Sequence, residues 1–308
     1  MRIVSLLPSA TEIVFALGLG DELVGVTHEC DWPPEAAGIP AVTRSTRDLA
    51  GLSSREIDRL VGEALHGGSS LYELDEAALK AAAPDLILTQ ELCAVCAVSY
   101  RQVSEVARAI DADVSVISLE PTSIEGIFNS IATVGAMADA EEAAVDVVAE
   151  LRGRLKKLET RLARRRGGGQ PPVRVVALEW LDPPFAVGHW VPEQIRRAGG
   201  WDLLGREGEP SVATSWQAIR EVDPEMLVLM PCGFHLPETV AEWKRMPKPP
   251  FWRQLEAVSR GQVFAVDGSA YFSRPGPRVI DGIALLAEIF DPDGFVETSP
   301  LGSWTPLL

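Results

Sequence analysis

Thiol and imidazole are scarce in this chain, with four cysteines and four histidines, and four of these, His28, Cys30, His189 and His235, stand beside an acidic or aromatic residue. His28-Glu29-Cys30-Asp31-Trp32 places an imidazole, a thiol and two carboxylates within five positions. Cys93-Ala94-Val95-Cys96 has the spacing of a zinc half-site or a redox pair, and equally of two packed structural thiols. Cys232 and His235 follow Pro231, and His189 lies between Gly188 and Trp190. Thiolate and neutral imidazole are transition-metal donors. That makes His28, Cys30, Cys93, Cys96, Cys232 and His235 candidate metal ligands, with His189 a candidate axial donor to cobalt or iron. Each also has a plain packing or helix-capping reading.

A second set is aromatic. Trp32, Tyr72, Trp180, Trp190, Phe234, Tyr271 and Phe272 would suit a large flat ligand, because rings supply apolar area at low entropic cost. About half of them should be core. Trp216, Trp243 and Trp252 read as packing or surface. Arg274 and Arg278 could meet carboxylates or phosphate of a ligand, or only neighbouring acids. Enzyme signatures are thin: there is no Walker loop, no G-x-G-x-x-G after a strand and no G-x-S-x-G elbow. Gly167-Gly168-Gly169 follows a helix and reads as a linker.

These residues need a frame. Short apolar β-type runs alternate with helical patterns, which is the mark of parallel βαβ units. Strands are expected at Ile3 to Leu7, Leu23 to Thr27, Asp85 to Thr89, Val114 to Ser118, Val173 to Glu179, Met226 to Met230 and Gln262 to Val266. Helices are expected at Ala10 to Leu19, Glu76 to Ala82, Tyr100 to Ile110, Val191 to Ala198, Ser215 to Glu221 and Arg278 to Phe290. Ala83-Pro84-Asp85-Leu86 and Val222-Asp223-Pro224-Glu225-Met226 repeat one device, a helix end, a proline and a buried strand.

From Glu141 to Arg166, apolar residues at Val145, Val148, Leu151, Leu155, Leu158 and Leu162 predict one long amphipathic helix. The chain is therefore expected to be α/β, with two Rossmann-like lobes joined by that helix and a ligand cleft between the lobes. The boundaries fall at residues 1–121 for the first lobe, 122–166 for the connecting region and 167–308 for the second. Ligands of open α/β sheets bind beyond the carboxyl ends of the strands. The candidate residues stand there: His28, Glu29 and Cys30 after one strand, Cys93 and Cys96 after another, Trp180 and then His189 and Trp190 after a third, Cys232, Phe234 and His235 after a fourth, and Tyr271, Phe272 and Arg274 after the last.

Bulk properties exclude some functions. A net charge of −16 argues against nucleic-acid or anionic-membrane partners, which need a basic face. Arg164-Arg165-Arg166 reads as a solvated helix end facing the negative pole of the dipole. The apolar run after Met1-Arg2 ends at Pro8, too short for a secretory leader, so a cytoplasmic location is expected, or an extracytoplasmic one if a leader was removed.

Finally, Arg2-Ile3-Val4-Ser5-Leu6-Leu7-Pro8-Ser9-Ala10-Thr11-Glu12, Asp31-Trp32-Pro33-Pro34-Glu35-Ala36, Pro183-Pro184-Phe185-Ala186-Val187-Gly188, Ala198-Gly199-Gly200 and Asp267 to Arg278 together resemble the iron-complex and vitamin B12 substrate-binding proteins of ABC transporters. The resemblance covers nearly the whole chain, and the B12-binding branch is nearest. It implies non-catalytic binding of a corrinoid such as cobalamin, or of an iron chelate, and an ABC permease as partner. It also implies that Asp267 faces the corrin amides and that Trp32 is the aromatic of the first lobe's turn. A wall residue of that lobe falls near Ser70-Leu71-Tyr72, after an insertion from about Thr46 to Gly68. Two other readings stay open: a metal- or thiol-dependent cytosolic enzyme on the same frame, and an iron-siderophore or haem-binding transporter subunit.

Overall fold

The structure, a computed structural model, describes residues 1–49, 51–66, 71–90, 103, 105–107, 113–167, 169, 171–295 and 299–308. The chain forms two compact α/β units. The first comprises Met1–Leu52, Arg59–Pro121 and Glu125–Glu150; the second comprises Ser53–Asp58, Thr122–Ile124 and Leu151–Leu308.

Up to the boundary helix the elements are β1 (Ile3–Ser5), α1 (Pro8–Ala16), β2 (Leu23–Gly25), β3 (Thr43–Ser45), α2 (Ser54–His66), β4 (Tyr72–Leu74), α3 (Glu76–Ala82), β5 (Leu86–Thr89), β6 (Ser115–Ser118), α4 (Ile124–Met137) and α5 (Glu141–Arg166). The first unit's main sheet is parallel, in the order β2-β1-β5-β6, with Ile3 beside Leu23 and Leu86 and Leu86 beside Ser115. β1 and β5 are buried along their whole length, as strands covered on both faces must be. Val4, Leu6, Leu79, Ile87 and Val103 form one apolar cluster there. β3 and β4 make a separate antiparallel pair that sets Ser45 opposite Tyr72.

α2 occupies the stretch read from sequence as an insertion. It starts at a box in which Glu56 Oε2 accepts from Ser53 N (2.8 Å) and Ser53 Oγ accepts from Glu56 N (3.3 Å). The expected helix at Tyr100 to Ile110 lies largely outside the described residues; Val103 and residues 105–107 are helical. α5 has the bounds expected of it, but its buried stripe runs Ala144, Val148, Leu151 and Leu155, while Val145 is 66% exposed. Close packing selects Ala144: a Cβ on Gly135 of α4 would lie 2.5 Å from the Ala144 Cβ.

The second unit continues with β7 (Val173–Leu181), β8 (Pro184–Ala186), α6 (Val191–Arg197), β9 (Gly200–Asp202), β10 (Val212–Ala213), α7 (Trp216–Val222), β11 (Met226–Leu229), α8 (Leu236–Arg245), α9 (Glu256–Ser259), β12 (Val263–Val266), α10 (Gly268–Tyr271), α11 (Val279–Phe290) and β13 (Trp304–Pro306). Its sheet has the order β10-β8-β7-β11-β12-β13, with β9 beside the first half of β7. β7, β11 and β12 are parallel and form the centre. The interior gathers Val176, Leu178, Leu227, Leu229, Trp243 and Trp252, with Trp216 packed against them. The late tryptophans are thus packing residues, and Lys248 Nζ sits 3.7 Å from the Trp243 ring centroid. Arg165 pairs with Asp291 through two hydrogen bonds (3.0 and 2.8 Å), so the arginine run ends the helix in a local ion pair. Among the described residues no helix is long and apolar enough to cross a membrane.

Candidate functional site

At the carboxyl end of the first unit's sheet, β2 leads into Thr27-His28-Glu29-Cys30. His28 Nδ1 is 2.8 Å from Thr43 Oγ1 and its ring centroid is 5.2 Å from that of Tyr72. Tyr72 Oη donates to Glu29 Oε1 (2.9 Å), which lies 3.8 Å from His28 Nε2. Burial lowers the His28 pKa below the ordinary imidazole value, with Glu29 opposing the shift. Cys30 faces inward: it is 7% exposed, and its Sγ is 3.1 Å from Thr11 Oγ1, which donates to Ser5 Oγ (2.9 Å). Cys30 therefore belongs to a buried hydroxyl network, while His28, Glu29 and Tyr72 form the accessible set. Trp32 follows on the surface, 46% exposed. At the end of β5, Thr89 Oγ1 is buried without a hydrogen-bond partner. Cys93 and Cys96 lie outside the described residues.

In the second unit, the carboxyl ends of β7, β11 and β12 are adjacent because the strands are. Cys232 N donates to Glu179 O (2.8 Å), tying the loop after β11 to the end of β7. This sets Phe234 edge-on to Trp180, with ring centroids 5.5 Å apart. Trp180 Nε1 donates to Ser54 O (3.2 Å). The same loop delivers His235, whose Nδ1 lies 3.0 and 3.2 Å from the two carboxylate oxygens of Asp267. Asp267 directly follows β12 and caps α10, accepting from Ala270 N (2.8 Å). Its carboxylate is thus engaged inside the unit by His235 and by the helix it caps.

The remaining candidates lie elsewhere. β8 runs antiparallel to β7, so the chain beyond Ala186 leads back from the carboxyl edge. His189 is held there by the 208–209 turn, its N donating to Glu209 O (2.6 Å) and its O accepting from Gly208 N (2.8 Å). It stacks on Trp190, takes a left-handed φ of 52°, and has a buried Nδ1 with no hydrogen-bond partner. Burial lowers its pKa. Trp190 (6% exposed) donates from Nε1 to Phe272 O (3.1 Å), and Phe272 is 2% exposed, so both are interior residues. Arg274 is also buried and donates to Ser269 Oγ (3.1 Å). Tyr271 is half-buried beneath the Arg278 guanidinium, 5.6 Å from the ring centroid.

Among the described residues, no group of three or more His, Cys, Asp or Glu is arranged to hold a metal ion. Sequence reasoning missed Ser54, which reaches the carboxyl-end set from α2. The Ser53-x-x-Glu56 box was the signal that marks that helix start.

Relatives place the frame. An "Uncharacterized ABC transporter substrate-binding lipoprotein" of Bacillus subtilis is 26% identical over 96% of this chain and 82% of its own length. The Vitamin B12-binding protein of Vibrio cholerae is 24% identical over 92% of this chain and 86% of its own length. Among solved structures, a periplasmic heme binding protein from Pseudomonas aeruginosa aligns with a TM-score of 0.70 at 20% identity, covering 98% of this chain and 95% of that one. The periplasmic vitamin B12 binding protein of Vibrio cholerae aligns with a TM-score of 0.68 at 21% identity, covering 94% and 96%. The family described as Periplasmic binding protein matches residues 3–270, and the chain belongs to that family.

Proposed function

We propose that this chain binds a corrinoid, without catalysing its conversion, and presents it to an ABC permease. The observation that carries the ligand class is the similarity to vitamin B12-binding proteins over 92% of the chain. The carboxyl-end residues support it in chemical terms. A corrinoid offers a broad flat ring, a rim of amides and a metal ion. At the carboxyl end of the second unit's sheet, Trp180 and Phe234 supply aromatic area suited to such a ring; within the first unit, His28 and Tyr72 supply a ring nitrogen and a phenol suited to its amides.

A second reading, an iron porphyrin as ligand, is favoured by the likeness to the Pseudomonas aeruginosa heme binding protein. The two differ in a fluorescence titration. Corrinoid binding beside Trp180 is expected to quench tryptophan emission saturably on addition of cyanocobalamin, and Trp180→Ala to remove part of that quench. Saturable quenching by haemin alone would replace the corrinoid by the porphyrin.

A further inference from the structure

Met246-Pro247-Lys248-Pro249 follows α8, and its two prolines restrict the backbone on either side of one half-buried lysine. The Lys248 ammonium donates to Trp243 O and to Met246 O (3.1 Å), and lies 3.7 and 6.0 Å from the ring centroids of Trp243 and Trp252. Those are its polar and ring contacts among the described residues, and none is a carboxylate. An ammonium has three N–H donors, so one is left over. Burial outweighs the attraction of Glu242 and lowers the amine's pKa, as a cation short of a counter-charge requires.

Lys248 lines a cavity of about 210 Å³ within the second unit. The apolar wall includes Leu181, Trp216 and Met246, and the charged groups are Arg55, Asp182 and Lys248. Trp216 is fixed edge-on to Trp252, with centroids 5.4 Å apart. Asp182 already takes two hydrogen bonds from Arg55 (2.8 and 3.0 Å), which leaves Lys248 as the uncompensated charge of the lining. The acids nearby are engaged elsewhere. Glu242 accepts from Ser54 and from Arg245, and burial followed by repulsion from Asp182 raises the pKa of Asp58.

We infer that this cavity binds a small organic carboxylate, its charge on Lys248 and its apolar body against Trp216 and Met246. The volume lies below the roughly 300–1,000 Å³ of a drug-sized site, so the occupant is a single ring or a short branched chain. One negative charge would offset the surplus of two cations over one carboxylate in the lining, an exception in a chain of net charge −16. A charge-assisted hydrogen bond from a partly desolvated ammonium is stronger than its counterpart in water. The corrinoid reading uses none of these residues, so the two stand or fall separately.

The test uses benzoate as the probe and benzamide as its uncharged counterpart. In protein carrying 13C-methyl methionine, benzoate should shift the Met246 methyl signal saturably, that signal being assigned by its loss in Met246→Leu. Benzamide should bind about tenfold or more weakly. Lys248→Met, shown to be folded by its melting curve, should lose benzoate affinity by a similar factor, while Lys244→Met should leave it unchanged. Wild-type affinity should fall as pH rises through about 8, where Lys248 gives up its proton. A shift that is absent in wild type, equal for benzamide, unmoved by pH or retained in Lys248→Met overturns the proposal.

Discussion

Glu242 Oε1 accepts both the backbone N–H (2.9 Å) and the hydroxyl of Ser54, from a side chain that is 1% exposed. A buried carboxylate on α8 thereby serves the first turn of α2, where unpaired backbone donors and the positive end of the helix dipole favour an anion. Ser54 in turn offers its carbonyl to Trp180. Glu242→Ala would leave two buried donors unsatisfied and remove the ion pair to Arg245. The expected cost is about 2–3 kcal/mol in urea unfolding, with Glu242→Gln milder because one acceptor oxygen remains.

Stability should fall on mild acidification. His28 and His189 are both held below the ordinary imidazole value of 6.5, chiefly by burial. Between 6.5 and their folded values the unfolded chain takes up protons that the folded chain does not, so stability is lost as pH falls through that window. For His189 the cost is plain, because the buried Nδ1 has no acceptor for a proton. His189→Asn tolerates the left-handed backbone and should flatten the fall in melting temperature below pH 6.5.

At the alkaline end the sign depends on Lys248. Burial lowers its pKa from 10.5 to about 8. From about pH 8 to 10.5 the unfolded chain holds the proton more firmly than the folded one, so stability should rise with pH across that interval. The half-exposed amine keeps the effect modest. Lys248→Met should remove the slope of melting temperature against pH, whatever it does to the absolute value at neutrality.

Gly268 lies at the join of the two carboxyl-end loops. A Cβ there would overlap Pro231 O and lie 2.8 Å from Met230 O, both backbone atoms that cannot turn aside. Gly268→Ala should cost about 1–3 kcal/mol through overpacking. It should also weaken corrinoid binding, since the clash falls on Met230 and Pro231, which lead into the loop that carries Phe234 and His235.

Much of the frame was legible because its signals are local. Ala83 and Asp223 both end a helix in the left-handed conformation, and each is followed by proline and a fully buried strand, as the repeated phrase implied. β8, β9, β10 and β13 were not legible, being two or three residues long with pairings set by distant neighbours. α8 was missed although Pro237 and Glu238 mark its first turn, because two of its buried residues, Thr239 and Glu242, are polar and interrupt the apolar stripe that marks a helix. Strand-end reasoning brought Trp180, Phe234 and His235 into one list, and the resemblance added Asp267. It could not show that His235 and Asp267 bond to each other, or that Cys30, Trp190 and Phe272 turn inward, since side-chain direction is a tertiary outcome. His189 was placed with the strand-end set because the return of β8 went unseen.

The central claim is that this chain is a corrinoid-binding member of its family. It is tested most directly by native mass spectrometry of the purified chain mixed with cyanocobalamin, cobinamide and haemin in equal amounts. One corrinoid per chain, retained in preference to haemin, is the expected result. A chain that retains haemin alone, or leaves all three unbound while remaining folded, would contradict it.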